Sequence, residues 1–172
     1  DSNKNPVTEY AKSKWQAEID LKKIADDRFC VTFFRPSTVF GPSPRLRSDI
    51  VYNNFLGSAY TRKNIIILSD GTPWRPVVYI DDVCDAFISA IYSDTNKINK
   101  EAFNIGIYNG NFTVKDLALS AQKIIPDANI SINTKKNFDE RTYKVSFNKI
   151  FNILREHYKP KFNLINGGQK LL

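Results

Sequence analysis

The sequence predicts an α/β fold, because segments with helical periodicity alternate with short strand-like segments along most of the chain. A second observation is the run from Phe29 to Phe34, which is apolar throughout, as in strands covered on both faces of a parallel sheet. A third is the size: 172 residues, 42% of them hydrophobic, suit a globular domain with its own core. We therefore expect helices packed on a sheet with parallel strands.

The first predicted helix spans residues 10–25 and follows Pro6, a residue that is common just before helices. Trp15, Ile19 and Ile24 form its apolar side. The apolar strand comes next, and a helix followed by a buried strand is half of a βαβ unit.

Residues 35–48 contain three prolines and one glycine and are therefore predicted to form a loop. Asp81 and Asp82 are interpreted as caps of a helix that starts at Val83 and buries Phe87. Periodicity and turn residues place the remaining elements. These are helices at 50–60, 83–93, 114–125 and 147–157, and strands at 65–68, 75–80, 103–106 and 130–132.

Composition narrows the classes of function. Cys30 and Cys84 lie in apolar segments and are predicted to be buried, reduced thiols of a cytoplasmic protein. One His and no Cys-x-x-Cys pair leave little for a metal site. No run approaches the roughly 20 apolar residues that a membrane span needs. The net charge of +7 is scattered along the chain, so nucleic acid is not an expected partner.

Tyr10 and Lys14 form the first candidate site, because their spacing places both side chains on one face of a helix. Tyrosine is normally protonated at neutral pH, and a neighbouring ammonium stabilises the phenolate that proton abstraction requires. One such pair is expected by chance in a chain with 8 tyrosines, so a solvated helix face is the alternative interpretation.

The segment NPVTEYAKSKWQAE, at residues 5–18, resembles the catalytic helix of the extended short-chain dehydrogenases/reductases, in particular the nucleotide-sugar epimerases and dehydratases. Further resemblances follow in the family's order and cover nearly the whole chain. They are RPSTVFGP at 35–42, VYNN at 51–54, SDGTPWR at 69–75, VYIDDV at 78–83, FNIG at 103–106 and RTY at 141–143.

The resemblance implies the C-terminal part of a Rossmann-like parallel sheet plus a small α+β substrate-binding domain. Residues 1–49 and 76–108 would belong to the Rossmann-like part, and residues 50–75 and 109–172 to the substrate-binding subdomain. The sequence contains no G-x-G-x-x-G turn, so the N-terminal nucleotide-binding half is expected to lie outside this chain.

The resemblance also implies roles for individual residues near the cofactor. Tyr10 would be the catalytic base, and Lys14 would support it and hold the cofactor ribose. The cofactor would be NAD or NADP, contacted by these two residues and by Pro36 and Val39, and bound mainly by the half that is absent here.

A nucleotide sugar would contact Thr38, Asn53, Arg75 and Arg141. Thr38 stands where the family often has Asn. Arginine suits a diphosphate because its guanidinium donates two parallel hydrogen bonds. Surface ion pairs for the arginines and a helix cap for Asn53 are the alternative interpretations.

The implied function of the parent protein is NAD-dependent epimerisation or dehydration of a nucleotide sugar, with the fragment alone inactive. The choice among epimerase, dehydratase, decarboxylase and reductase stays open. The alternative is a non-catalytic nucleotide-sugar-binding module of the same fold. We further expect exposed apolar surface that a homodimer contact or another association covers.

Overall fold

The structure is a computed structural model that describes residues 4–133 and 142–172. Helices and strands alternate through these residues, which confirms the predicted α/β class. The elements, in chain order, are α1 (Glu9–Ile24), β1 (Phe33–Pro36), β2 (Thr38–Phe40), α2 (Val51–Arg62), β3 (Asn64–Ile67), β4 (Trp74–Tyr79), α3 (Ile80–Ile91), α4 (Thr95–Ile98), β5 (Ala102–Ile105), β6 (Asn111–Thr113), α5 (Val114–Ile124), β7 (Asn129–Ile132), α6 (Asn148–Ile153) and α7 (Leu164–Leu171).

The described strands pair into small, mainly parallel sheets. β1 runs parallel to β5, and β3 runs parallel to β7. β4 lies between β2, which is parallel to it, and β6, which is antiparallel. Because parallel strands end at the same edge of a sheet, Pro36 at the end of β1 lies beside Ile105 at the end of β5.

β4 is shared between two hydrophobic cores. Val77 and Tyr79 point into a first core with α2, β3, α5 and α7, whereas Val78 points into a second core with β5, α3 and α6. This division follows from the alternation of side chains along a strand. Residues 147–158, assigned above to the substrate-binding subdomain, pack in the second core beside β5. The domain boundaries stay a prediction.

α7 closes the first core and was not predicted from the sequence. Its side-chain cap is Asn163, which accepts from the backbone N–H groups of the first turn. Gly167 lies against Phe40 and Tyr79, and Gly168 lies against Tyr52. A Cβ at Gly167 would crowd the two rings, and a Cβ at Gly168 would crowd Ile124 and the Tyr52 hydroxyl. The close approach of the helix therefore depends on the absence of a side chain at both positions.

α1 is an external helix without a buried residue. Ile24, on its predicted apolar side, is exposed, and so are Ile88 and Ile91 of α3. The prediction that Phe87 is buried was wrong, since its side chain is 52% exposed. α3 turns Asp82, Val83, Ala86 and Ser89 towards the protein instead. The described chain therefore carries the exposed apolar surface that the sequence led us to expect.

Several boundaries differ from the predictions because long-range pairing sets them. The apolar run begins as a strand only at Phe33, where pairing with β5 starts. Before it, Asp26 Oδ1 accepts from the N–H groups of Arg28 and Phe29 in a local turn. Cys30 is therefore exposed, contrary to prediction. Cys84 is also exposed, because it lies on the outer side of α3.

The predicted loop at 35–48 contains β1 residues and the short strand β2, which β4 holds by parallel pairing. The predicted helix at 147–157 is shorter, ending at Ile153. The prediction that Asp81 and Asp82 cap α3 was wrong: the helix starts at Ile80, and both residues lie in its first turn. Among the described helices, none combines the length and the apolar character that crossing a bilayer requires.

Candidate active site

Tyr10 and Lys14 lie one turn apart near the start of α1. The Oγ1 of Thr8 accepts from the Ala11 N–H at 3.1 Å and fixes the beginning of the helix. The Lys14 Nζ lies 5.5 Å from the centroid of the Tyr10 ring, so the ammonium contacts the aromatic side chain. The Tyr10 side chain is 72% exposed and is accessible to a ligand.

Arg35 of β1 forms an ion pair with Glu18 of α1. Its guanidinium donates to both carboxylate oxygens of Glu18, through Nε at 2.8 Å and through Nη2. The hydrogen bond with Glu18 raises the pKa of Arg35, against the opposing effect of burial. The same guanidinium lies 5.7 Å from the Trp15 ring centroid, and the Lys4 ammonium lies equally far from that ring. The ion pair of Arg35 with Glu18 thus joins β1 to the helix that carries Tyr10 and Lys14.

A cavity of about 390 Å³ opens beside α1. Lys14 and Trp15 line it from the helix, Pro6 from the preceding segment and Arg35 from β1. Its volume falls in the usual range for small-molecule sites, roughly 300–1,000 Å³. Lys14 thus faces an open space of ligand size while it contacts the Tyr10 ring.

A second cavity, of about 290 Å³, shares Arg35 with the first. Pro36 and Thr38 line it, and their contacts with a cofactor and a substrate stay predictions. Asn104 and Tyr143 also line it; they lie in the FNIG and RTY segments but were not predicted as site residues. The alternation of β5 offered a signal for Asn104, since buried Phe103 and Ile105 on either side of it place its side chain on the opposite face.

Val39 was predicted to contact the cofactor. In the structure its side chain is half-buried and packs against the second core. It is not among the residues that line the two described cavities. Its cofactor contact stays a prediction.

Asn53 is buried, with 6% of its surface exposed, and both ends of its amide contact the preceding loop. Its Oδ1 accepts from the Gly41 N–H at 3.2 Å, and its Nδ2 donates to the Arg47 carbonyl at 3.0 Å. Asn54 donates in the same way to the Ser48 carbonyl at 3.2 Å. The structure thus gives Asn53 a loop-holding contact, and a direct substrate contact stays a prediction.

Arg75 lies in β4, and its guanidinium lies 5.9 Å from the centroid of the Tyr143 ring. Because Tyr143 lines the smaller cavity, this contact joins Arg75 to the cavity that Thr38 lines. Nη1 of Arg75 also donates to the Trp74 carbonyl at 2.9 Å. Arg141, the other predicted diphosphate ligand, lies outside the described residues.

Asp82 is a fully buried acidic residue that joins two distant segments. Its two carboxylate oxygens accept from the backbone N–H groups of Lys161 and Phe162, at 2.8 and 3.2 Å. Burial raises the pKa of Asp82, and the two hydrogen bonds act in the opposite direction. Asp82 therefore has a structural role at the start of α3.

Comparison with known proteins adds independent findings. Residues 1–106 match the model of the NAD dependent epimerase/dehydratase family. Among solved structures, Pal from Bacillus thuringiensis is 24% identical, with a TM-score of 0.79 over 99% of this chain and 53% of its own. The UDP-glucose 4-epimerase of Thermotoga maritima, with UDP-glucose, is 25% identical, with a TM-score of 0.79 over 97% of this chain and 53% of its own.

The UDP-glucuronic acid 4-epimerase of Bacillus cereus, in complex with UDP-glucuronic acid and NAD, is 22% identical, with a TM-score of 0.75 over 99% of this chain and 56% of its own. The chain thus spans about half the length of the solved structures that it matches. These likenesses confirm the Rossmann-like fold that the sequence led us to expect. Since the matched segment exceeds half of the 172 residues, the chain belongs to the NAD dependent epimerase/dehydratase family.

Proposed function

We propose that this chain forms the C-terminal half of an NAD-dependent enzyme that epimerises or dehydrates a nucleotide sugar. The observation that carries the proposal is the position of Lys14. Its ammonium contacts the Tyr10 ring and also lines the larger cavity, which shares Arg35 with the smaller cavity. Lys14 thus connects the proton-transfer pair to the larger cavity, and Arg35 connects that cavity to the smaller one.

Tyr10, as a phenolate, removes a proton from a sugar hydroxyl in this proposal. The Lys14 ammonium favours the phenolate through its positive charge and donates a hydrogen bond to the cofactor ribose. The exposure of Tyr10 supports the role, because a base must come within hydrogen-bonding distance of its substrate. When bound, NAD would supply the redox chemistry by accepting a hydride from the sugar.

The residues described fit such a cofactor near Lys14, where the larger cavity offers a cation that can donate to a ribose hydroxyl. Pro36 borders the adjoining cavity. The remaining contacts would come from the half of the fold that the longer solved structures contain and this chain does not span.

In this proposal the sugar of the substrate binds in the smaller cavity. Thr38 offers a hydroxyl there, and Arg75 adds a positive charge next to Tyr143. Arg141 would bind the diphosphate, and Asn53 would act by holding the loop at 41–47. The similar epimerases with UDP-glucose and UDP-glucuronic acid support this substrate class.

The exposed apolar residues of α1 and α3 are assigned to association with the remainder of the protein or with a second copy. Ile24 and Ile91 are the clearest cases, since each sits on a helix whose other side faces the protein. Burying such surface is favourable by about 25 cal/mol per Å². A homodimer is the proposed assembly.

Replacing Tyr10 by Phe in the full-length protein tests the function. Turnover of UDP- and dTDP-linked sugars should fall by about 10²–10⁴-fold, because general-base catalysis is lost while the aromatic ring remains. The control is Tyr60→Phe, which removes the hydroxyl of another exposed helical tyrosine. If Tyr10→Phe kept turnover within about threefold of the wild type, Tyr10 would not be the base.

The alternative is a non-catalytic module that binds a nucleotide sugar in the smaller cavity without transforming it. The cavity lined by Thr38 and Tyr143 is compatible with it, because those contacts do not involve Tyr10. Isothermal titration separates the two functions. Binding of a nucleotide sugar without turnover by the NAD-loaded wild type would favour the module.

A further inference from the structure

Residues 142–146 form a short segment, here called the strap, that contains no helix or strand yet borders the smaller cavity. Tyr143 and Val145 line the cavity, whereas Thr142 and Lys144 contact Trp74 on β4. This alternation is that of an extended chain with one side facing the cavity and the other facing β4. The strap is therefore a wall of the cavity.

Asn111 fastens the strap through a two-point contact with Val145. Its Oδ1 accepts from the Val145 N–H at 2.8 Å, and its Nδ2 donates to the Val145 carbonyl at 2.9 Å. The side-chain amide thereby satisfies the backbone as a neighbouring strand would. Asn111 itself is fixed on β6, where it pairs with Pro76, another residue that lines the cavity.

Two further contacts hold the ends of the strap. The Trp74 N–H donates to Thr142 Oγ1 at 3.1 Å, and Asn104 Nδ2 donates to the Ser146 carbonyl at 3.2 Å. The Lys144 ammonium lies 3.7 Å from the Trp74 ring centroid, which adds a cation–π contact. Asn111 differs from these partners because it holds both backbone groups of one residue, Val145.

We propose that Asn111 is a positioning residue that holds the strap in place as a wall of the smaller cavity and thereby sets the affinity for the nucleotide sugar. The inference rests on the proposed function. Asn111 acts through Tyr143 and Val145, which line the cavity, and it does not act on the proton-transfer pair on α1. Its loss should therefore weaken substrate binding and leave the chemical step intact.

The test compares Asn111→Ala, Asn111→Asp and the control Asn96→Ala in the full-length protein. Asn96 is an exposed residue of α4 and is not among the residues that line the smaller cavity. In Asn111→Ala the KM for the nucleotide sugar should rise about tenfold, with kcat within about twofold of the wild type. Asn111→Asp keeps the acceptor for the Val145 N–H and loses the donor, so its KM should also rise.

Trypsin supplies a readout that does not depend on turnover, because Lys144 is a cleavage site within the strap. Cleavage after Lys144, followed by mass spectrometry, should be faster in Asn111→Ala than in the wild type. It should be unchanged in Asn96→Ala. Unchanged cleavage together with an unchanged KM would overturn the positioning role.

Tyr143→Ala keeps the proposal testable if Asn111→Ala does not fold. It removes the wall side chain and leaves the Asn111–Val145 contact in place, so KM should rise without faster cleavage after Lys144. An unchanged KM in Tyr143→Ala would contradict the assignment of the strap as a substrate wall. A wild type that neither binds nor converts any nucleotide sugar would instead refute the proposed function, and the cleavage comparison would still measure the Asn111 contact.

Discussion

The guanidinium of Arg35 and the carboxylate of Glu18 form a two-point ion pair between β1 and α1. Both side chains are mostly buried in this contact. α1 has no fully buried residue, and its Trp15 ring also contacts Arg35, whose guanidinium lies 5.7 Å from the ring centroid. The placement of Tyr10 and Lys14 therefore depends on a charged pair as well as on apolar packing.

Glu18→Ala should lower stability by about 1–3 kcal/mol, because Arg35 then lacks its charged acceptor in a partly buried place. It should also reduce kcat/KM by at least tenfold, since α1 carries the proposed catalytic pair. Urea denaturation and steady-state kinetics on the full-length protein measure both effects. Glu9→Ala is the control, because the exposed Glu9–Lys12 pair contributes at most about 1 kcal/mol. Equal effects of the two variants would contradict the anchoring role.

Asn53→Ala should loosen the loop that follows β2. It removes the acceptor for the Gly41 N–H and the donor to the Arg47 carbonyl, at a cost of about 1–2 kcal/mol. Hydrogen exchange at the Gly41 amide should become faster, which amide-resolved mass spectrometry or NMR detects. Asn54→Ala breaks a single exposed contact and should leave that amide unchanged. Slow exchange at Gly41 in Asn53→Ala would count against the loop-holding role.

The ionisation of Tyr52 should lower the free energy of unfolding at alkaline pH. Burial raises the pKa of Tyr52 to about 12, with an opposing hydrogen bond from Ser120. Unfolded tyrosine titrates near 10, so between about pH 10 and 12 the unfolded chain loses a proton that the folded chain keeps. The contribution of protonated Tyr52 to the free energy of unfolding is complete below pH 10 and is lost as pH rises through 12. The loss is on the order of 2–3 kcal/mol.

Tyr52→Phe checks this effect. At pH 8 it should cost about 1 kcal/mol, because the hydrogen bonds to the Leu164 carbonyl and Ser120 are lost. As pH rises from 10 to 12, the stability of the variant should first equal and then exceed that of the wild type, because the wild type loses about 2–3 kcal/mol that the variant does not lose. Tyr79 and Tyr158 also have raised pKa values, so part of the alkaline loss should persist. A constant difference across this range would contradict the assignment to Tyr52.

Gly106→Ala should destabilise the second core. A Cβ at this position would overlap the ring of Phe147, which is buried beside β5. Overpacking of this kind costs about 1–3 kcal/mol. Phe147→Leu in the same chain should recover part of the loss by removing ring atoms, and thermal denaturation of the single and double variants measures the coupling. Additive effects would show that the two residues do not interact.

Helices with strong local signals were predictable from the sequence. Thr113 begins α5 through a capping box with Asp116, and Thr8 begins α1. Strand limits were not predictable, because they depend on partners far along the chain: β1 starts where β5 pairs with it. α7 was missed because Gly167 and Gly168 disfavour a helix locally, whereas close packing against bulky side chains of the first core requires them.

In the candidate site too, local relationships were predictable from the sequence and long-range contacts were not. The spacing of Tyr10 and Lys14 is a local property of a helix and was visible in the sequence. The contacts of Asn53 and Asn111 are with backbone groups that no side-chain pattern reveals. Arg75 reaches the cavity through Tyr143, a relationship that only the folded chain creates.

The closure of the first core by α7 has a consequence for the order in which the protein folds. Phe40 and Tyr79 pack against Gly167 of α7, which lies more than eighty residues later in the chain. During synthesis on the ribosome, these rings lack their contacts with α7 until that helix has emerged. Such distant contacts slow folding and leave apolar surface accessible to other nascent chains. Chaperone dependence during synthesis would thus follow from the late position of α7 relative to Phe40 and Tyr79.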